Sequence, residues 1–417
     1  MRKCMTEEFN SIFIYHLKGN ARTQGERRRK EKDNVFGEGS RSPVAIVFLV
    51  KNPESKEFGM IYFHAVDDYL TREEKLHALT RDQSIASVRS SLIVPDEHGD
   101  WFNLREGSFS KFMRVDGKKT KEKAIFNNFS LGVGTNRDVW VYGSSKKSVS
   151  DKVKGNIQFY NDEVLKRIND QNYEFEKDLK KFSWIHPQRV GFEKCKISQG
   201  YRSSCVYSSL YRPFYKQSLY FDRFWNNRVY QMPVIFPGSN VENLVICFNQ
   251  GWNGEGHLVL MANRIVDLHF NGDSQCFPRW LPKSDKPAQE SLDLGYEDDW
   301  ESGFSKDALP HFQKAYPDHA ITEDDLFYYI YGILHSEDYR TRFANNLMKE
   351  LPRIPRVATY KQFQAFADAG RKLADLHVNF ERVPSYAGVK FVKKEGNADY
   401  RVTQMKWGKI LGKKGNA

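Results

Sequence analysis

The chain has 417 residues, of which 64 are Lys or Arg and 53 are Asp or Glu, giving a formal charge of +11. With 40% hydrophobic and 14% aromatic residues it holds enough apolar material for two or three folded domains, which excludes a disordered chain, while the basic surplus suits either a nucleic-acid partner or ordinary surface solvation. The five cysteines (Cys4, Cys195, Cys205, Cys247, Cys276) include no CxxC pair, so no disulfide framework or zinc site is indicated; with no secretory h-region and no bilayer-length apolar run, a cytoplasmic protein away from the membrane is expected.

A helix end at Arg2–Phe9 is followed by apolar strands at Ile12–Leu17, Val44–Val50 and Met60–Ala65. The second strand, in PVAIVFLVKN, is apolar nearly throughout, which predicts a position inside a sheet covered on both faces. Between the first two strands lies an insert carrying Arg22, Arg27, Arg28, Arg29, Lys30, Lys32 and Arg41. Held at both ends by strands, this charge is placed rather than free and is aimed at a polyanion; the alternative is a solvated charge run. Gly19, Gly25, Gly37 and Gly39 allow sharp turns and close approach to a ligand. Arginine outnumbers lysine in the insert, which favours bidentate phosphate or guanine contacts. A hairpin needs a third strand or a helix to be stable, so the chain reads as starting within a domain.

Residues 67–125 read as a polar helical connector, with YLTREEKLHAL its clearest amphipathic piece and KKTKEK at 118–123 a charge run. DVWVY at 138–142 reads as a strand and residues 160–182 as a long surface helix. Residues 195–280 are short strands rich in aromatics, 282–310 an acidic loop, and 322–350 a helical pair capped through Thr322 and Asp325. LPRIPR at 351–356 breaks the helix, an amphipathic helix covers 360–381, and a basic tail follows.

Several motifs carry chemistry or its imitation. FGEG at 36–39 is not the glycine loop that binds S-adenosylmethionine, because it precedes a strand instead of opening a helix. LGVGTNRD at 131–138 reads as a turn whose Thr135, Asn136 and Arg137 are within reach of a backbone phosphate. The stretch 201–230 alternates aromatics with Arg and Asn, as a base-reading surface requires, although the aromatics also suit a core. Within it Tyr211, Arg212, Asn226 and Arg228 are the base-edge candidates, beside Arg22, Arg27, Arg28, Arg29, Lys30 and Arg41 for phosphate or groove contacts. His269, His335 and His377 stand alone and read as core or capping residues. Asn52-Pro53-Glu54-Ser55 lacks the second Pro and the Tyr of the Asn-Pro-Pro-Tyr motif of amino-group DNA methyltransferases, and so lacks the aromatic that stacks a flipped base.

Taken together, FNSIFIYHLKGNARTQGERRRKEKDNVFGEGSRSPVAIVFLVKNP resembles the late hairpin of the methyltransferase domain in Type ISP restriction-modification enzymes. LGVGTNRDVWVY, SLYRPFYKQSLYFD, LFYYIYGILHSEDYRTRFANNLMKELPRIP and FADAGRKLADLH resemble the C-terminal specificity region of the same family. The resemblance runs from about residue 9 to 381. It implies an α/β chain in which 1–66 is the terminal β-hairpin portion of a Rossmann-like methyltransferase sheet and 67–125 a connector. Residues 126–417 are then a mixed α/β target-recognition domain with C-terminal helices. The implied function is sequence-specific recognition of double-stranded DNA for an adenine-N6 methyltransferase and restriction enzyme. The family's cofactor glycine motif, its Asn-Pro-Pro-Tyr motif, and its nuclease and ATPase segments are not in this sequence. Catalytic residues, metal ligands and an S-adenosylmethionine site are therefore not expected here, the cofactor belonging to the parent enzyme. An upstream methyltransferase, helicase or nuclease polypeptide is an implied partner. Two alternatives stay open: a methyltransferase half that is active only with a partner supplying the cofactor site, and an inert truncated remnant.

Overall fold

The computed structural model describes residues 1–23, 25–117, 122–198, 200–249, 258–283 and 300–388. Residues 118–121 of the charge run, 284–299 of the acidic segment and the basic tail lie outside the described residues. The chain forms two units, Met1–Val378 and Asn379–Ala417. Of the second, residues 379–388 are described, with one 3-10 turn at Phe380–Arg382. Everything below concerns the first unit, a mixed α/β structure as the sequence predicts.

The helix α1 (Arg2–Glu8) leads into β1 (Ser11–Lys18), which pairs antiparallel with β2 (Val44–Val50) and parallel with β3 (Met60–Ala65). A short strand β4 (Ser91–Ile93) extends the sheet to the order β2-β1-β3-β4. The predicted connector is thus only partly helical: α3 (Arg72–Asp82) carries a complete Thr71–Glu74 capping box, and β4 belongs to the first sheet. The strand β2 departs from expectation too. It is the sheet's edge, and Val47, Phe48, Leu49 and Val50 are each 41–46% exposed. Successive strand residues point to opposite faces, so four exposed in a row leave both faces open. The apolar run reports what β2 needs for cover, and β1 alone does not provide it.

The main core is built by the sheet ordered Val259–Ala262, Val245–Phe248, Gln275–Pro278, Ser130–Leu131 and by the helices Glu323–His335 and Tyr360–Val378 packed on it. The Thr322–Asp325 capping box is present, but three helices rather than the predicted pair share the segment: Glu323–His335 and the short Glu337–Arg342 and Ala344–Leu347. Three buried tyrosines satisfy the carbonyls that the prolines of LPRIPR leave without helical partners. Tyr339 donates to Arg353 O, Tyr329 to Pro355 O and Tyr316 to Val357 O, each at 2.7 Å. DVWVY is not a strand. Asp138–Val141 makes one helical turn before a two-residue strand at Tyr142–Gly143, because the Asp138 carboxylate is drawn back onto the Thr135 hydroxyl. The long helix starts earlier than its periodicity suggests, at Lys146 behind the Ser145 cap, and ends at Asn169.

The first sheet is joined to this body at Asp100, which is 8% exposed. Its carboxylate accepts from Lys349 at 2.7 Å, Arg105 at 2.9 Å and Arg2 at 3.5 Å, and Arg105 also pairs with Glu350 at 3.3 Å. Burial opposes ionisation of Asp100, yet Lys349 and Arg105 hold its pKa below the usual carboxylate range.

The helices Glu323–His335 and Tyr360–Val378 cross at glycines. A Cβ on Gly370 would lie 2.0 Å from Tyr328 O, and one on Gly332 2.3 Å from Phe366 O. Gly370→Ala should therefore lower the unfolding free energy by roughly 1–3 kcal/mol or more in urea denaturation, against an exposed control, Asp368→Ala, within about 0.5 kcal/mol. Between the same helices burial, with neighbouring His377 and Arg340, pushes the His335 pKa down to about 4, and burial also lowers that of His377. A histidine depressed in the folded state binds fewer protons than in the unfolded chain. Its contribution is complete above the free value near 6.5 and is lost as pH falls toward about 4. The melting temperature should drop across that window, by up to about 3 kcal/mol of stability for His335, and His335→Phe should flatten the drop.

Candidate nucleic-acid interface

The basic insert is anchored, not loose. Its centre is α2 (Gly25–Glu31). Lys75 of α3, fully buried, donates its ammonium to Glu31 O at 2.8 Å and Asp33 O at 2.5 Å, and burial lowers its pKa. Arg72 donates to Val35 O at 2.9 Å, and the Tyr69 hydroxyl to Glu26 at 2.6 Å. Asp68 pairs with Lys18 at 2.5 Å and Lys30 at 3.5 Å. Asn34 closes the loop by donating to Gly19 O and Ser42 O. The hydrogen bonds of the buried Lys75 ammonium, at about 1.5–3 kcal/mol each, and that of Arg72 tie the insert to α3, while the exposed pairs add little.

This anchoring sorts the predicted phosphate contacts. Arg28 donates to Lys32 O, Arg29 pairs with Glu26, and Lys30 with Asp68. Arg22, Arg27 and Arg41 are exposed, and their side chains make no hydrogen bond or ion pair among the described residues. Arg28, Arg41 and Arg72 line an open cleft of about 600 Å³, but Asp33, Glu38 and Glu73 line it as well, so its charge is balanced. Arg22 and Arg27, which do not line the cleft, carry the uncompensated charge.

The aromatic stretch forms the hairpin Val206–Arg212 and Tyr215–Tyr220, with Tyr142–Gly143 as a third strand. Tyr211 is half-buried and donates its hydroxyl to Asp138 at 2.9 Å; burial, then Asp138, raises its pKa. Arg212 lies 4.0 Å above the Tyr211 ring and donates to Asp267 at 2.7 Å. Arg228 is exposed; its backbone pairs with Gly134, and its side chain has no partner among the described residues. Asn226 is different. It is 1% exposed and its amide donates to Tyr220 O and Asp222 O, both at 2.9 Å, so it holds a turn together and presents nothing to a surface. Of the four base-edge candidates the structure thus brings Tyr211 and Arg212 together, leaves Arg228 outward and keeps Asn226 inside.

The turn at 131–138 also departs from its reading. Thr135 and Arg137 are buried, 1% and 3% exposed, and only Asn136 faces solvent. Arg137 donates to Gln188 at 2.6 Å and lies 4.6 Å from the Phe182 ring and 5.4 Å from the Trp225 ring; burial lowers its pKa to about 9. It is an interior residue, not a phosphate ligand. Sequence reasoning passed over Asp138 and Asp267, the carboxylates that orient Tyr211 and Arg212. Their signal was a lone acid within each of the apolar runs DVWVY and RIVDLHF. FGEG forms a 3-10 turn at Gly37–Gly39 leading into β2, which does not fit S-adenosylmethionine. Among the described residues no cluster of three or more His, Cys, Asp and Glu side chains is placed to hold a metal, and no helix is long and apolar enough to cross a membrane.

Residues 124–416 match the sequence model of the Type ISP C-terminal specificity domain. No curated protein matches the chain. Among solved structures it is similar to a nuclease-deletion mutant of the Type ISP restriction-modification enzyme LlaGI in complex with a DNA substrate mimic, with 33% identity and a TM-score of 0.75 over 93% of this chain and 34% of that one. It is similar to the DrdV–DNA complex, with 32% identity and a TM-score of 0.76 over 92% of this chain and 36% of that one. It also resembles the ATP-dependent Type ISP restriction-modification enzyme LlaBIII bound to DNA, with 28% identity and a TM-score of 0.78 over 93% of this chain and 24% of that one. The chain therefore spans between about a quarter and just over a third of the length of these structures. A family model that matches well over half the residues, in a chain whose fold follows two Type ISP enzymes nearly end to end, identifies this chain as a member of the Type ISP specificity-domain family.

Proposed function

We propose that this chain is the double-stranded-DNA-reading portion of a Type ISP restriction-modification enzyme. The observation that carries the reading is the similarity, over more than nine-tenths of the chain, to three structures of complexes with DNA or a DNA substrate mimic. Two surfaces support it. The pinned insert offers Arg22, Arg27 and Arg41 to backbone phosphates, with Arg28, Arg29 and Lys30 behind them in internal pairs. The aromatic hairpin and the adjoining turn offer Arg212 over Tyr211, and Arg228, to base edges. Phosphate contacts set affinity and base contacts set specificity, so the two sets divide the work.

On this reading the first 66 residues finish a methyltransferase sheet whose other strands, with the S-adenosylmethionine site and the catalytic motifs, lie in the part of the enzyme outside this chain. Support comes from the open faces and free edge of β2 and from the share of the solved structures that the chain covers.

Binding to duplex DNA measured over a salt series tests the proposal. Arg27→Ala with Arg41→Ala should weaken binding to all duplexes alike and reduce the slope of log affinity against log salt by about 1 for each lost contact. Unchanged slopes would remove the insert from the interface. Arg228→Ala should relax preference at a single base pair, at a cost of about 1–3 kcal/mol there, with the salt slope kept. A protein that binds every duplex equally would overturn the proposal as a whole.

A further inference from the structure

The acids around Arg212 make it more than an exposed arginine. Asp267 is fixed through its backbone from two sides: its N–H donates to Leu210 O at 3.0 Å, and the next residue, Leu268, donates to Val133 O at 2.9 Å. The neighbouring segment passes so near that a Cβ on Gly132 would lie 2.3 Å from Asp267 O. The Asp267 carboxylate, 2% exposed, accepts from His269 N at 2.9 Å and from Arg212 Nη1 at 2.7 Å. On the other side the Thr135 hydroxyl donates to Asp138, and Tyr211 donates to the second oxygen of the same carboxylate at 2.9 Å. That chain locks the Tyr211 ring as the platform 4.0 Å beneath the Arg212 guanidinium.

The fork of Arg212 is thereby divided. Nη1 is committed to Asp267 and to Tyr211 O at 2.5 Å. Nε and Nη2 make no hydrogen bond among the described residues, and the side chain is 38% exposed. Two parallel N–H groups on a fixed plane match the N7 and O6 acceptors of guanine, whereas adenine offers a donor in place of O6. A phosphate is the poorer ligand here. With Asp267 and Asp138 close by, the arginine's charge is already compensated, so an anion would meet a carboxylate-rich surface while a neutral base edge would not. Holding the side chain in place before binding also removes the rotamer entropy that a free arginine loses on binding.

We propose that Arg212 is a preset guanine reader, with Asp267 and the Tyr211 ring as its positioning residues. This rests on the DNA-reading function above and names the base that one side chain recognises. The test is selection by the full-length chain from a duplex library randomised across the bound site, at fixed salt, for wild type, R212K and D267N. Wild type should select guanine at one position. R212K keeps the charge and loses the fork, so guanine at that position should lose about tenfold to a hundredfold of its advantage while other positions and the salt slope stay as they were. D267N keeps the oxygen that accepts from both His269 N and Arg212 but removes its charge, which loosens the hold on the guanidinium and should blunt the same position alone. Should D267N fail to give a cooperative melt, R212K decides. A wild type with no preference at any position would sink the DNA-reading function itself. A wild type with preferences that both variants keep, a lost preference for a base other than guanine, or an R212K that weakens all duplexes equally would overturn this inference and leave that function standing.

Discussion

The clamp at Asp100 is the interaction on which the use of this chain depends. The first sheet carries the basic insert, and the C-terminal body carries the hairpin with Arg212. Each is supported by its own apolar cluster. What ties the segment before residue 106 to the body is polar: Lys349 and Arg105 on the buried Asp100 carboxylate, Arg105 on Glu350, and Asn346 exchanging bonds with the backbone of Glu106. A buried carboxylate is tolerable only when paired, and Lys349 and Arg105 together supply that pairing for Asp100. The reward is geometric. On the proposed function, phosphate-facing and base-facing groups held on one frame would be matched to the fixed spacing of a duplex.

The two sets of arginines differ in how they are held, and the difference follows what each has to meet. A phosphate is a charge without fine orientation, and on the proposed function the exposed Arg22, Arg27 and Arg41 would meet it from an anchored insert with side chains that make no internal pair among the described residues. A base edge is a neutral pattern of donors and acceptors, which only a guanidinium fixed in its plane can distinguish. Arg212 is fixed by a carboxylate and a ring. Arg137, alike in sequence, is buried among Phe182, Trp225 and Trp140, where its flat cation substitutes for a hydrophobic side chain.

Much of the architecture was legible because local physics decides it. The apolar run of β1, the Thr322 capping box, the prolines of LPRIPR and the amphipathic period of 360–381 each point to their element without help from the rest of the chain. What was not legible depends on partners distant in sequence. The apolarity of β2 predicts cover that the structure does not supply. Asn226 reads as a surface amide until the turn around it closes on Tyr220 O and Asp222 O. Asp138 turns a strand-like run into a helical turn by reaching back to Thr135, and β4 joins a sheet whose other strands lie at least 26 residues earlier. The outward arginines of the insert were legible as charge, but which of them are spent on internal pairs was not.

The openness of β2 bears on the order in which such a protein comes together. The main core, drawn from residues between Phe109 and Ala374, closes without any contribution from β2. The C-terminal core is thus complete without cover for β2. On the proposed function a strand of the rest of the enzyme would cover β2, and until then four apolar side chains and an open hydrogen-bonding edge would stay exposed, the kind of edge that invites association with other chains.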